Sequence, residues 1–222
     1  MAFEFFRDRK HAGRALARKL AGHAERPDVI VLALPRGGTP VAHEVARALG
    51  APLDLWMVRK LGIPWNEEYA MGAIASGGEQ WLDEVIVREL GISPRSIDEV
   101  VERERRELER RERVYRGGRP APRLRGRVAI LVDDGLATGS TMRVAVRAAR
   151  RQEPARVVVA VPVAAPEAVD LLRADADEVV CVHAPDPFLG VGRWYLDFSQ
   201  TRDEEVCALL EDVDSRHAAL SA

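Results

Sequence analysis

Two adjacent aspartates, Asp133 and Asp134, stand at the end of an apolar run, Val128–Val132. They are followed by Gly135, Leu136 and a loop of small residues, Ala137, Thr138, Gly139, Ser140 and Thr141. Residues of these types in this order can grip a sugar phosphate. A helix that opens at the loop presents unpaired backbone N–H groups and the positive end of its dipole, which together suit a phosphate. Small side chains let the backbone close around the anion, and the hydroxyls of Thr138, Ser140 and Thr141 add donors. Two carboxylates beside a phosphate would only repel it unless they serve another part of the ligand. A vicinal diol, such as the 2- and 3-hydroxyls of a ribose, donates to both, so the pattern describes a ribose 5-phosphate grip. The plainer reading, a capped turn with a glycine bend, fits an isolated Thr-Gly-Ser better than the whole strand, Asp-Asp, loop and helix. The stretch is not a Walker A loop, which needs Gly-Lys-Ser/Thr. It is not a dinucleotide fingerprint either, because GxGxxG is absent.

Such a grip needs a strand end to carry it, and the chain supplies strands in alternation with helices. Val29–Leu34 (VIVLAL) is short, β-branched and apolar on both faces, as a strand covered on both sides is, and Leu53–Val58, Val128–Val132, Arg156–Val161 and Glu178–Val182 read as further strands. Helices are expected over Asp8–His23, Pro40–Gly50 with Thr39 as its cap, Thr141–Arg151 and Pro166–Arg173. This order predicts right-handed βαβ units and an α/β fold with a doubly wound, mainly parallel sheet. Ligands in such sheets bind at the carboxyl ends of strands, where Asp133 and Asp134 lie.

Two regions break the alternation. Ile63–Asp83 contains a hairpin signal around Gly77-Gly78. Asp98–Arg116 reads as a charged helix with seven acidic residues and seven arginines, hence neutral and solvated rather than a basic arm for nucleic acid. Its narrow apolar stripe is Ile97, Val101, Leu108 and Tyr115, able to pack on the domain or on a second subunit. Residues 117–123 form a linker back into the sheet. The 222 residues are expected to form a single domain, with residues 63–123 as an insert.

The net charge of −2 and pI near 6.2 give no overall electrostatic attraction for nucleic acid or an anionic membrane. Cys181 and Cys207 lack CxxC spacing or companion ligands and read as reduced thiols of a cytoplasmic protein. The N-terminal stretch is charged by its seventh residue and does not look like a secretory signal. No apolar run approaches the roughly 18 residues of a membrane helix. The histidines His11, His23, His43, His183 and His217 are scattered and carry no catalytic pattern.

The Val128–Met142 segment resembles the phosphoribosyl pyrophosphate motif of the type I phosphoribosyltransferases. Three further segments agree in order. Leu34–Gly38 (LPRGG) is similar to the family's pyrophosphate loop, which implies pyrophosphate contacts from Arg36, Gly37 and Gly38. VRKLG places Arg59 and Lys60 at the end of the next strand, where the family has cationic pyrophosphate contacts. Residues 63–93 then correspond to the family's mobile loop over the active site. Residues 185–198 (PDPFLGVGRWYLDF) resemble the hood of purine phosphoribosyltransferases, within a hood segment 183–200. The resemblance implies base stacking by Phe188 and a metal contact from Asp197, although the spacing between these two is longer here. Trp194 and Tyr195 read as hood core. The resemblance also implies the type I fold with a small hood, a Mg²⁺ cofactor, a role in nucleotide salvage and a tendency to self-associate into a homo-oligomer.

In that family the 5-phosphoribosyl group of phosphoribosyl pyrophosphate passes to a nitrogenous base or amine, and pyrophosphate leaves. Asp133 and Asp134 would hold the diol near the developing positive charge, and Ala137–Thr141 would hold the 5-phosphate. The 6-oxopurine enzymes carry an aspartate where this chain has Ala137, and no lysine stands after Glu178 to read a 6-oxo group. The hood is purine-like while the motif argues against guanine and hypoxanthine, so the acceptor stays open. Two other readings remain. One is a regulatory protein of the same fold that binds phosphoribosyl pyrophosphate without turnover. The other is a sugar-phosphate hydrolase, for which the sequence offers no clear nucleophile–histidine pair.

Overall fold

The computed structural model describes residues 5–78 and 80–220. Its strands are β1 (Val29–Ala33), β2 (Leu53–Leu55), β3 (Val58–Ile63), β4 (Asn66–Ala75), β5 (Gln80–Leu82), β6 (Val128–Val132), β7 (Arg156–Val163) and β8 (Glu178–His183). Its α-helices are α1 (Arg9–Lys19), α2 (Gly38–Leu49), α3 (Glu84–Glu89), α4 (Pro94–Arg116), α5 (Ser140–Arg150), α6 (Pro166–Arg173) and α7 (Asp203–Leu220).

Among the described residues, five strands pair in parallel in the order β2-β1-β6-β7-β8. The alternation of side chains along the two central strands, β1 and β6, explains why they are apolar at every position. Val29, Val31 and Ala33 of β1, with Val128, Ile130 and Val132 of β6, enter a core shared with α1, α2 and α7. Ile30 and Leu32, with Ala129 and Leu131, enter a second core on the other face with α5 and α6. Both faces are covered, as the doubly wound expectation requires.

The order places β1 and β6 side by side. From β1 the chain turns toward β2, and from β6 it turns toward β7. The connections from these two strands therefore run in opposite directions, which makes the carboxyl ends of β1 and β6 the switch point at which such sheets bind ligands. The loop after β1 is Leu34–Gly37 and the loop after β6 is Asp133–Gly139.

A second, antiparallel sheet, β3-β4-β5, follows β2. Gly77 and Gly78 turn between β4 and β5 with φ of 83° and 82°, a left-handed conformation that glycine adopts at little cost. The hairpin expected there is present. The stretch expected as a loop, residues 63–93, is instead built from β4, β5 and α3. Leu61, Ile63, Met71 and Ile74 are buried in the main core, which draws this segment into sheet structure.

The charged helix starts earlier than its sequence suggests. Ser93 caps it, accepting from the Ser96 amide at 3.2 Å, and Pro94 occupies the first turn. Its apolar stripe packs on the domain: Val101, Leu108 and Tyr115 are buried, with Ile97 at the edge of the core. Arg116 anchors the end of α4. It is buried and donates to Asp54 at 3.0 Å, Glu112 at 2.8 Å and the Leu55 carbonyl at 2.5 Å. The α7 helix, which the sequence reading omitted, buries Val206, Leu210 and Val213 against the same core. No helix among the described residues is long and apolar enough to cross a membrane.

Candidate active site

Strand β6 carries the aspartate pair. Its five buried residues end at Val132, and Asp133 and Asp134 follow at the switch point. Gly135 follows because Val191 of the hood lies against it: a Cβ on Gly135 would stand 2.6 Å from Val191 Cγ1. Gly139, at φ 71°, then turns the chain into α5, and Ser140 opens that helix. Ala137 and Thr138 are exposed at the loop surface. The Thr138 hydroxyl accepts from the Ser140 amide at 3.3 Å and donates to the Ser140 hydroxyl at 3.1 Å. Thr141 faces a cavity of about 40 Å³ that it shares with Pro35, Arg59 and Arg111.

The loop after β1 closes on the aspartates from the neighbouring strand. The Pro35–Arg36 peptide is cis. A Cβ on Gly37 would lie 2.1 Å from Asp134 Oδ2, and a Cβ on Gly38 would lie 2.9 Å from Asp133 Cα. Glycines at 37 and 38 are thus what lets the two loops touch. These residues are already in helical conformation, with Gly37 as the cap of α2. The helix expected to start at Pro40 under a Thr39 cap therefore starts at Gly38. Thr39 is buried in its first turn, and its hydroxyl has no hydrogen-bond partner among the described residues.

Charge is tightly managed around the pair. Asp133 accepts from the Asp134 amide at 2.8 Å. Burial, and next the charge of Asp134, raise the Asp133 pKa well above the usual carboxylate range. Burial also raises Asp134, while Arg9 opposes the rise. Arg9, the first residue of α1, donates from Nε to Asp134 Oδ2 at 2.8 Å and from Nη1 to the Ser199 carbonyl at 2.6 Å. Its guanidinium lies 4.0 Å from the centroid of the Phe198 ring. The Tyr195 hydroxyl donates to the Asp134 carbonyl at 2.6 Å.

The cations expected near a diphosphate occupy varied places. Arg36 follows β1 and pairs with Asp203 of α7 at 3.4 Å, and the Tyr115 hydroxyl donates to the same carboxylate at 2.7 Å. Burial and that bond push the Tyr115 phenol up to about 12. Arg59 and Lys60 do not end a strand of the parallel sheet; they begin β3 of the antiparallel one. Strand β2 stops at Leu55, and Trp56 turns inward to donate its indole N–H to the Ala145 carbonyl at 3.0 Å. Arg59 is held by Glu104 of α4 at 2.8 and 2.5 Å. Lys60 Nζ reaches the Ser140 hydroxyl at 3.0 Å, so it stands at the small-residue loop.

The hood is built from two distant segments. Phe6 pairs with Tyr195, and the amides of Leu196 and Asp197 donate to the carbonyls of Phe6 and Arg7. Phe188 is half-buried between the hood and the second core. Asp197 is exposed and accepts from the Ser199 amide at 2.9 Å, a bond that lowers its pKa. It lines a cavity of about 220 Å³ with Asp8, Arg9, Lys10, Ser199 and Glu205. Among the described residues, no cluster of three or more His, Cys, Asp or Glu side chains could hold a metal by itself. Sequence reasoning missed Arg9, Glu104 and Asp203. Each is one charge among many, and each matters through a contact far along the chain.

A doubly wound sheet whose switch point holds an aspartate pair, a small-residue loop at a helix start and a facing Arg-Gly-Gly loop defines an α/β domain of the kind that binds ligands at its strand ends. The chain belongs to the phosphoribosyl transferase domain family, whose model matches residues 6–198. It is 45% identical over 208 residues to the proteins named "Putative phosphoribosyl transferase Rv0571c" and "Putative phosphoribosyl transferase MT0597" of two Mycobacterium tuberculosis strains. The match covers 94% of this chain and 47% of each relative, so the chain spans about half the length of these curated relatives. Among solved structures, TT1426 from Thermus thermophilus superposes with a TM-score of 0.84 at 46% identity, covering 94% of this chain and 98% of that one.

Proposed function

We propose that the protein transfers the 5-phosphoribosyl group of phosphoribosyl pyrophosphate to a nitrogenous base or amine and releases pyrophosphate. The observation that carries this reading is the meeting of two loops at the switch point, with Gly37 against Asp134 and Gly38 against Asp133. A diol held by the aspartates has its 5-phosphate end toward Ala137–Thr141 and its C1 end toward the Arg36-Gly37-Gly38 loop. Lys60, at Ser140, then adds positive charge beside the 5-phosphate. Catalysis of this kind rests on position and electrostatics more than on covalent chemistry. Asp133 and Asp134 would lie near the positive charge that develops on the sugar ring, and their burial limits screening by solvent. Hood residues 188–198, Phe188 among them, would cover the acceptor.

Mg²⁺ fits the donor set as a substrate-borne ion. It is usually held by one or two carboxylates together with substrate phosphates and water. Asp197, exposed and kept ionised by its bond from Ser199, suits that part. When bound, the ion would neutralise the leaving diphosphate.

One observation favours a second reading, a regulatory protein that binds phosphoribosyl pyrophosphate without turnover. Arg36 and Arg59, the arginines that the family resemblance assigns to the diphosphate, are already paired with Asp203 and Glu104. Pyrophosphate release separates the two. Incubation with phosphoribosyl pyrophosphate, Mg²⁺ and a panel of purine, pyrimidine and amine acceptors should release pyrophosphate with one acceptor class and not without it. Binding by calorimetry with no release from any acceptor supports the regulatory reading. Absence of binding by the folded protein rejects both.

A further inference from the structure

We propose that Arg9 is a positioning residue for the ribose diol, acting through Asp134 and not on the ligand's phosphates. The inference rests on the functional reading above and adds a residue that lies outside all four of the segments that carry the family resemblance.

Asp134 is the point at which three parts of the molecule meet. Its Oδ2 abuts Gly37 of the facing loop, its carbonyl accepts from Tyr195, and its carboxylate accepts from Arg9. The Arg9 side chain is itself fixed at three places: the Asp134 carboxylate, the Ser199 carbonyl and the face of Phe198. It is 11% exposed, and Asp134 is 14% exposed, so solvent screens the pair weakly. A guanidinium fixed in this way holds its partner carboxylate in one rotamer, since its fork has a set geometry.

The pair also answers a problem that two adjacent, half-buried carboxylates create. Like charges this close disfavour each other's ionisation. The ionised form offers both oxygens as acceptors to the two hydroxyls of a diol, whereas the protonated form turns one oxygen into a donor. Arg9 supplies the compensating charge to Asp134 and leaves its other lone pairs open to a ligand. Asp133 takes the Asp134 amide instead of a cation.

The test compares three probes by calorimetry: phosphoribosyl pyrophosphate with Mg²⁺, ribose 5-phosphate, and pyrophosphate with Mg²⁺. With Arg9→Gln, affinity for both sugar phosphates should fall about tenfold or more, the scale of one charge-assisted hydrogen bond. Pyrophosphate affinity should stay at the wild-type value. Arg9→Lys should recover part of the sugar-phosphate loss, since it restores charge without the fork. A parallel fall for pyrophosphate would make Arg9 a direct phosphate contact and overturn the proposal. So would unchanged affinity for all probes, or tighter binding of the sugar phosphates, which would mark Arg9 as a plug. Thermal unfolding of each variant reports folding. If Arg9→Gln does not fold, Arg9→Lys carries the test, with a smaller loss confined to the two sugar phosphates. A wild-type protein that binds none of the probes overturns the functional reading, and this inference with it.

Discussion

Replacing Gly37 by alanine separates the needs of the site from those of the fold. Gly37 sits at φ −60° and ψ −36°, a conformation any residue adopts, so the backbone does not require glycine there. The contact does. The new Cβ would lie 2.1 Å from Asp134 Oδ2 and 2.8 Å from its Cγ. To clear even 3.0 Å the carboxylate must retreat by roughly 1 Å, which carries the 2.8 Å bond to Arg9 out to about 3.8 Å, beyond hydrogen-bonding range. A charge-assisted bond of this kind contributes about 1.5–3 kcal/mol. Gly→Ala at a compatible position returns about 0.4–1 kcal/mol through the unfolded chain. The net cost to folding is then about 1–2 kcal/mol, a fall in Tm of roughly 2–8 °C for a chain of this size. On the proposed reading, in which Asp134 holds the ribose diol, binding of phosphoribosyl pyrophosphate should weaken about 10- to 100-fold, since about 1.4 kcal/mol is a decade. Calorimetry and differential scanning on the same samples give both numbers. Wild-type affinity in a folded Gly37→Ala protein would refute the argument that Gly37 exists to seat Asp134.

Asp133→Asn should be more stable than the wild type at pH 7 while binding phosphoribosyl pyrophosphate poorly. Burial and Asp134 raise the folded-state pKa of Asp133, so folding loses stability as pH rises from about 4, the unfolded value, through that raised pKa, and the loss persists above it. Asparagine escapes the loss, so the Tm gain should shrink toward pH 4, and a wild type that melts higher at pH 7 would contradict the assignment. Arg116→Met leaves Asp54 and Glu112 without their buried partner and should cost about 3–5 kcal/mol, lowering Tm by roughly 6–20 °C. Lys60→Ala should weaken ribose 5-phosphate binding about tenfold at low salt and less at high salt, because Lys60 acts as a point charge; a loss independent of salt would argue for a packing role instead.

The central strands β1 and β6 could be read because their covering on both faces leaves an uninterrupted apolar signal, as in Val128–Val132. The aspartate pair and its loop could be read because one short segment carries a strand end, two carboxylates and a helix start. The start of α2 could not. Thr39-Pro40 has the local chemistry of a cap and first turn, but packing between the two loops draws Gly37 and Gly38 into helical conformation first. The antiparallel sheet was half visible: the Gly77-Gly78 turn is a local signal, whereas the break at Trp56 depends on a partner carbonyl 89 positions away. Helix α7 did carry a signal, Val206, Leu210 and Val213 at helical spacing, in a stretch whose many charges obscured it. Arg9 carried none, since its meaning comes wholly from Asp134, 125 positions distant.

The two-piece hood bears on the order in which the chain can be assembled. Phe6 and Tyr195 lie at opposite ends of the family-matched region, yet they are neighbours in one small layer. Contacts between such distant positions bring a large loop-closure cost and form late unless other structure has drawn the ends together. The parallel sheet does that drawing, since α1 packs on β7 and β8 near the hood. During synthesis the carboxylate pair and its loop emerge well before Tyr195, Phe198 and Ser199. Until those residues follow, Arg9 lacks two of its three anchors and the Asp134 carbonyl lacks its phenol. A chain stalled between Thr141 and Tyr195 therefore carries the aspartate pair and its loop in sequence, but not the layer that packs against them.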